Sequence, residues 1–185
     1  VDTLGRTGVS ADTVTGEDRD RPVSGPKLYD MEHKHDPALF TYGDCWRACI
    51  ATVTQTPIAE VPHFVGDHYD EDQAGALLDP PAPARWFEAT QEWLRERFGH
   101  LVLYYDQPGA IYPDKRAEPS AWPWLIYSGQ SPRGDWKHSI VGDQIGNVIH
   151  DPHPDRTGVV GELDGVFVIV KAEDWREPVP HEDGE

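Results

Sequence analysis

Hydrophobic and polar positions divide the chain into a helical first half and a strand-rich second half. The segment CWRACIATVTQ, residues 45–55, places Cys45, Ala48, Cys49, Thr52 and Val53 at i, i+3, i+4, i+7 and i+8. That spacing predicts a helix with one buried face and Asp44 as its N-cap. Thr56-Pro57 predicts a short second helix ending at Pro62, with threonine as the cap and proline in first position. The stretch 66–84 is acidic and then proline-rich (LLDPPAPA), and reads as a loop. The clearest period runs over residues 85–98. There Trp86, Phe87, Thr90, Trp93, Leu94 and Arg97 trace one stripe, which reads as core, and Gly99 supplies the stop. Beyond Gly99 the texture changes to short β-rich runs, LVLYY, WLIYS, HSIVG, NVIHD and VFVIVK, punctuated by Gly, Pro and Asp. Helices first and strands afterwards predict an α+β domain on an antiparallel sheet.

Residues 1–30 are rich in Asp, Gly, Thr and Ser without an apolar period, and are expected to form a flexible tail. A single domain is expected over 31–176, with a second acidic tail over 177–185. A chain of 185 residues with seven Trp and seven Tyr can bury a core of its own. The formal charge of −17 argues against a nucleic-acid backbone or an anionic membrane as partner, since either would be repelled. No run of 18 apolar residues and no basic-then-apolar leader is present, so a cytoplasmic location is expected.

Both cysteines lie four residues apart in GDCWRACIA. A disulfide within one helix would be strained. A metal site would have to draw on Cys45, Cys49, His138 and His150 or His153. The second pair is not compact, so neither metal nor cofactor is expected. Cys49, one turn inward, reads as core. Cys45, at the helix start, is either a small core residue or a nucleophile whose thiolate the helix N-terminus would favour. The hairpin HSIVGDQIGNVIHDPHP bears on the choice. With the turn centred between Gln144 and Ile145, paired residue numbers sum to 289, which sets His138 against Asp151. A slip of one residue would send the two to opposite faces. Cys45 as nucleophile, His138 as general base and acid, and Asp151 as the group that orients the ring make a consistent set. His150 is expected to face away from His138. His153, between two prolines, could line the cleft or sit in a turn, and the turn is favoured; His33 and His35 read as solvated. The loop SGQSPRGDW is either a plain turn or a substrate lip. As a lip it would offer Arg133 to a ligand carboxylate and Trp136 as a shield over His138.

The motifs GDCWRACIA, HSIVG and NVIHDP resemble the papain-like superfamily of cysteine peptidases, and within it the bacteriocin-leader-processing peptidases. The stretches CWRACIATVTQTPIAEVPHF, SGQSPRGDWKHSIVG and HDPHPDRTGV also resemble uncharacterised bacteriophage-encoded proteins of that type. The likeness covers residues 42–160. It implies a papain-like fold, in which an N-terminal helix carrying the cysteine packs on an antiparallel sheet carrying the His and Asp. The family's Cys, His and Asp map onto Cys45, His138 and Asp151. It also implies acyl transfer on a peptide or protein substrate through a thioester. One position departs: the family places a Gln a few residues before the cysteine, whereas this chain has PALFTYGDC. The Cys45 backbone N–H, with a Tyr42 or Thr41 hydroxyl, is then left to bind the oxyanion. One missing donor costs about 10²–10³ in rate. Two other functions share the pattern: a silent peptide- or protein-binding module on the same cleft, and transglutaminase-like transfer to an amine.

Overall fold

The computed structural model describes residues 25–39, 41–70, 72, 84–106 and 122–174. The expected C-terminal tail, most of the N-terminal tail and the proline-rich stretch 73–83 lie outside them. Among the described residues the helices α1 (Cys45–Thr54), α2 (Phe64–Asp67) and α3 (Arg85–Phe98) precede all the strands of a five-stranded sheet. Its strands are β1 (His100–Tyr105), β2 (Leu125–Gln130), β3 (Lys137–Gly142), β4 (Val148–His150) and β5 (Val160–Lys171). Their order across the sheet is β1-β5-β2-β3-β4, every neighbour antiparallel. The architecture is α+β. No helix among the described residues is long and apolar enough to cross a membrane.

Helix α3 has the predicted bounds. Gly99 ends it in the left-handed conformation (φ 67°), which a residue without Cβ adopts at little cost. The Asp72 carboxylate receives the free N–H groups of Arg85 and Trp86 at its start. Thr90 and Leu94 are buried and Trp86, Phe87 and Trp93 pack partly on the core, whereas Arg97 leaves the stripe to pair with Glu60. The Thr56-Pro57 signal yields only a 3-10 turn, Ile58–Glu60, with Pro57 outside it as N-cap. The loop expected over 66–84 begins inside α2.

Helix α1 differs from the one-faced helix that its spacing predicts. Eight of its ten residues are buried, from Trp46 round to Thr54. The cause is non-local. Ile126 and Val141 of the sheet share a core cluster with Ile50 and Val53. On another side the Trp46 indole donates to Thr90 Oγ1 of α3 at 3.1 Å. A strap formed by residues 25–36 covers a third side: Tyr29 is 8 % exposed and its N–H donates to Thr52 Oγ1 at 2.9 Å. The last residues of the expected tail are therefore docked. A helix enclosed in this way needs apolar or small side chains all round, and full burial of a residue such as Ile50 is worth roughly 1.5–3 kcal/mol.

The strap also reaches the far edge of the sheet. Met31 N–H donates to the Pro152 carbonyl at 3.0 Å, and His150 Nε2 lies 2.8 Å from the Tyr29 carbonyl. The sheet is apolar on both faces. Val102, Ile126, Val141 and Ile169 join the cluster around α1, while Leu101, Tyr127, Ile140 and Val168 form a second. In the β3–β4 hairpin Val141 pairs with His150 and Gly142 with Val148, with an irregularity between them. The sum is thus 291 beside the bulge and not the expected 289, and β4 ends before Asp151.

Candidate active site

Cys45 is the first residue of α1 and half-buried, with its thiol free. The backbone N–H groups of Cys45, Trp46 and Arg47 meet no backbone carbonyl among the described residues, as expected of a first turn. Asp44 does not cap them. Its carboxylate is fully buried, accepts the His33 N–H at 2.9 Å and pairs with Arg47 Nη1 at 3.2 Å. A buried carboxylate takes the strongest donors within reach, and here the arginine and the strap outbid the helix end. Arg47 is saturated in turn by Glu32 and by the carbonyls of Ile58 and Val61. Asp44 is a tie between helix and strap whose charge is cancelled on the spot.

His138 lies near the start of β3, opposite Gly129 of β2. A Cβ at position 129 would press on Val159 at 3.0 Å, so glycine is what lets these strands close beside the imidazole. Despite the shifted register, His138 Nε2 lies 2.7 Å from Asp151 Oδ1. A shift of two in the sum preserves parity, so Asp151 leaves the end of β4 on the side that reaches the ring. The thiol of Cys45 hydrogen-bonds to the same ring. With Nε2 taken by Asp151, Nδ1 is the nitrogen left for sulfur. The three residues named from sequence form one connected chain, Cys45–His138–Asp151.

The electrostatics fit that chain. Burial works against the His138 imidazolium, but hydrogen bonds to Asp151 and Cys45 outweigh it and push the ring to about 9. Burial likewise opposes the Asp151 carboxylate. The His138 hydrogen bond and the N–H groups of His153 (2.8 Å) and Gly158 (2.7 Å) overcome it and hold the carboxyl at about 2. At neutral pH the ring is protonated and its partner ionised, so the sulfur faces a cation. Cys49, one turn on, is completely buried, and burial raises its thiol well above the ordinary range. The pair of cysteines thus divides into one thiol at a cleft and one in the core.

The cleft above Cys45 has a volume of about 550 Å³ and a floor that includes Trp46, Trp86 and Phe167. Arg133 lines it but is not free for a ligand. Its guanidinium pairs with Asp155, donates to Thr157 Oγ1 at 2.7 Å and stands 3.5 Å from Asp151 Oδ2. Carboxylates two turns of chain away claim it first. Trp136 also lines the cleft, yet its ring packs on His35 (centroids 4.6 Å apart), and His153 is the ring set edge-on to His138 at 6.2 Å. Tyr42 reaches the cleft, with its ring stacked on Tyr69 at 3.7 Å; desolvation and a hydrogen bond to Tyr69 hold its hydroxyl protonated. Thr41 is not among the lining residues.

His35, Lys34 and Lys137 are cleft residues that the sequence did not single out as such, and His153, for which the turn is the favoured reading, lines the cleft as well. His33, also expected to be solvated, is exposed but stacks on His63 at 5.7 Å. The D-P-H-P-D run carried a signal for His153: two prolines hold the turn that keeps Asp151 and Asp155 on either side of it. The suggested metal set is not drawn together, since His150 turns to the strap and Cys49 to the core. Among the described residues, ligand atoms converge at Glu32, His33 and Asp44, where Arg47 already holds both carboxylates. No protein-family model matches the chain, nor does any curated protein or solved structure.

Proposed function

We propose that this chain is a cysteine-dependent acyl-transfer enzyme of the papain-like type, a peptidase or amidase in reaction class. The observation that carries it is the connected chain of Asp151, His138 and Cys45 at the head of a helix, opening on an apolar cleft. In the first step the Cys45 thiolate adds to a substrate carbonyl and an S–C bond forms. The oxyanion takes the free N–H of Cys45 as donor. The C–N or C–O bond then breaks as His138 gives its proton to the leaving group, and a thioester remains. Water, losing a proton to His138, adds to the thioester. The C–S bond breaks, the acid leaves, and the Cys45 thiolate and protonated His138 are regenerated. Asp151 stays ionised throughout and holds the ring.

The test is labelling together with turnover. Iodoacetamide at neutral pH is expected to modify Cys45 quickly and Cys49 only after unfolding. An activated p-nitrophenyl ester should give a burst of nitrophenol that Cys45→Ala abolishes. Equal labelling of the two thiols, or a burst that survives Cys45→Ala, would remove the nucleophile.

One observation favours a second reading, a peptide-binding module without turnover. The Tyr42 hydroxyl is occupied by Tyr69 and Thr41 lies outside the cleft lining, so neither side chain expected to help bind the oxyanion is free to do so. Under that reading the thiol labels quickly, at most one equivalent of nitrophenol is released, and no turnover follows it.

A further inference from the structure

The chain carries 33 Asp and Glu against 16 Lys and Arg, yet among the described residues no carboxylate lines the cleft. Its charged and titratable lining consists of Lys34, His35, Arg133, Lys137, His138 and His153, together with the Cys45 thiol and the phenols of Tyr42 and Tyr69. This segregation is local. Asp44, Asp151 and Asp155 all stand close by, but each is drawn behind the wall by an arginine or a histidine. Of the cations, Arg133 and His138 are committed to those carboxylates. Lys34, exposed on the strap, has no ion-pair partner among the described residues. Lys137 pairs with Asp164 at 2.7 Å, but both side chains are exposed, and a surface pair of that kind exchanges readily for another anion. Two ammonium groups from two different elements are therefore available at the rim of an aromatic-floored cleft.

We infer that the cleft selects an acidic peptide, one that presents a large apolar side chain to the floor and a carboxylate to Lys34 and Lys137. The inference rests on the acyl-transfer reading of the same site and adds its substrate class. A protein of net charge −17 repels anions at long range, so a carbon-lined cleft alone would disfavour such a ligand. Local cations with low-dielectric aromatic walls are what reverse that preference near the thiol.

Two reagents of nearly equal size, iodoacetate and iodoacetamide, differ in charge and form the same S–C bond with loss of iodide. The ratio of their rates at Cys45 reads the field at the thiol without any need for turnover. The Lys34→Gln/Lys137→Gln double variant is expected to lower the iodoacetate-to-iodoacetamide ratio about three- to tenfold, the iodoacetamide rate serving as the reference for any change in the thiol itself. Glu at both positions should lower it further, and Lys171→Gln, an exposed lysine at the end of β5, should not move it. An unchanged ratio in the double variant overturns the inference. Nitrophenol release then tests the peptide itself, with the p-nitrophenyl esters of N-succinyl-phenylalanine and N-acetyl-phenylalanine. The succinyl ester should be preferred through KM, and the preference should vanish in the double variant. Cys45-dependent turnover with no preference defeats the anionic substrate alone. A charge-dependent alkylation ratio with no Cys45-dependent turnover retires the enzyme and leaves an acidic-peptide site.

Discussion

Two buried aspartates, Asp44 and Asp151, flank the thiol from opposite sides and solve the same physical problem differently. Both are almost wholly removed from water, and each accepts backbone N–H groups and has an arginine beside it. Asp44 spends its charge on Arg47 and the strap, within one residue of Cys45, and so adds little field at the sulfur. Asp151 keeps a short bond for an imidazole, while its neighbour Arg133 is drawn chiefly to Asp155. The cost of burying a carboxylate is similar in the two places. What differs is whether the compensating cation is fixed, as guanidinium is, or able to give up its proton.

That contrast can be broken by substitution. Asp44→Ala is expected to cost about 1–3 kcal/mol in urea unfolding, since it leaves the His33 N–H unpaired and takes one of two carboxylates from Arg47, while Cys45 labelling per folded molecule changes less than threefold. Asp151→Ala should do the reverse. Iodoacetamide labelling of Cys45 near pH 7 is expected to fall about tenfold or more, because the ring loses the anion that keeps it charged and aimed. His138→Ala should fall lower still, and Asp151→Asn should lie between. Loss of labelling in Asp44→Ala with none in Asp151→Ala would invert the roles assigned to the two carboxylates.

The pH dependence sharpens the same contrast. His138 is raised from about 6.5 unfolded to about 9 folded, so its contribution to stability is complete below pH 6.5 and disappears as pH rises through 9. Asp151 is lowered to about 2, so its contribution is present above pH 4 and is lost as pH falls through 2. Wild-type stability should therefore fall between pH 6.5 and 9, and a His138→Phe variant should be flat there; equal slopes would remove the imidazolium. The smallest effect belongs to Asp143. Its carboxylate accepts the N–H groups of Ile145 (3.0 Å) and Asn147 (2.8 Å) in the hairpin turn. Asp143→Ala should cost about 1 kcal/mol of stability and leave labelling untouched.

The site was legible in sequence to the extent that periodicity and parity determine it. Helix α3 with its glycine stop and the five β-rich runs follow from local pattern. The His138–Asp151 pair survives a wrong register because parity, and not the register itself, decides which side a side chain takes. What sequence could not show is non-local. Nothing near Asp44 in the chain reveals that His33 and Arg47 will claim it, and nothing in α1 tells that a strap will close over the side away from the sheet. Arg133 is a case of the same kind: its partner Asp155 lies 22 residues on, across the hairpin.

Strand β5 lies inside the sheet, between β1 at one edge and β2 at the centre, although it comes last of the five in sequence. During synthesis the helix that carries Cys45 leaves the ribosome early, but β1 cannot join β2, β3 and β4 until residues 160–171 have emerged. The strap likewise waits for His150 and Arg156, more than a hundred residues downstream. A chain without residues 160–171 is thus expected to lack a settled sheet beneath His138, and the proposed reactivity to arrive only once that segment is in place.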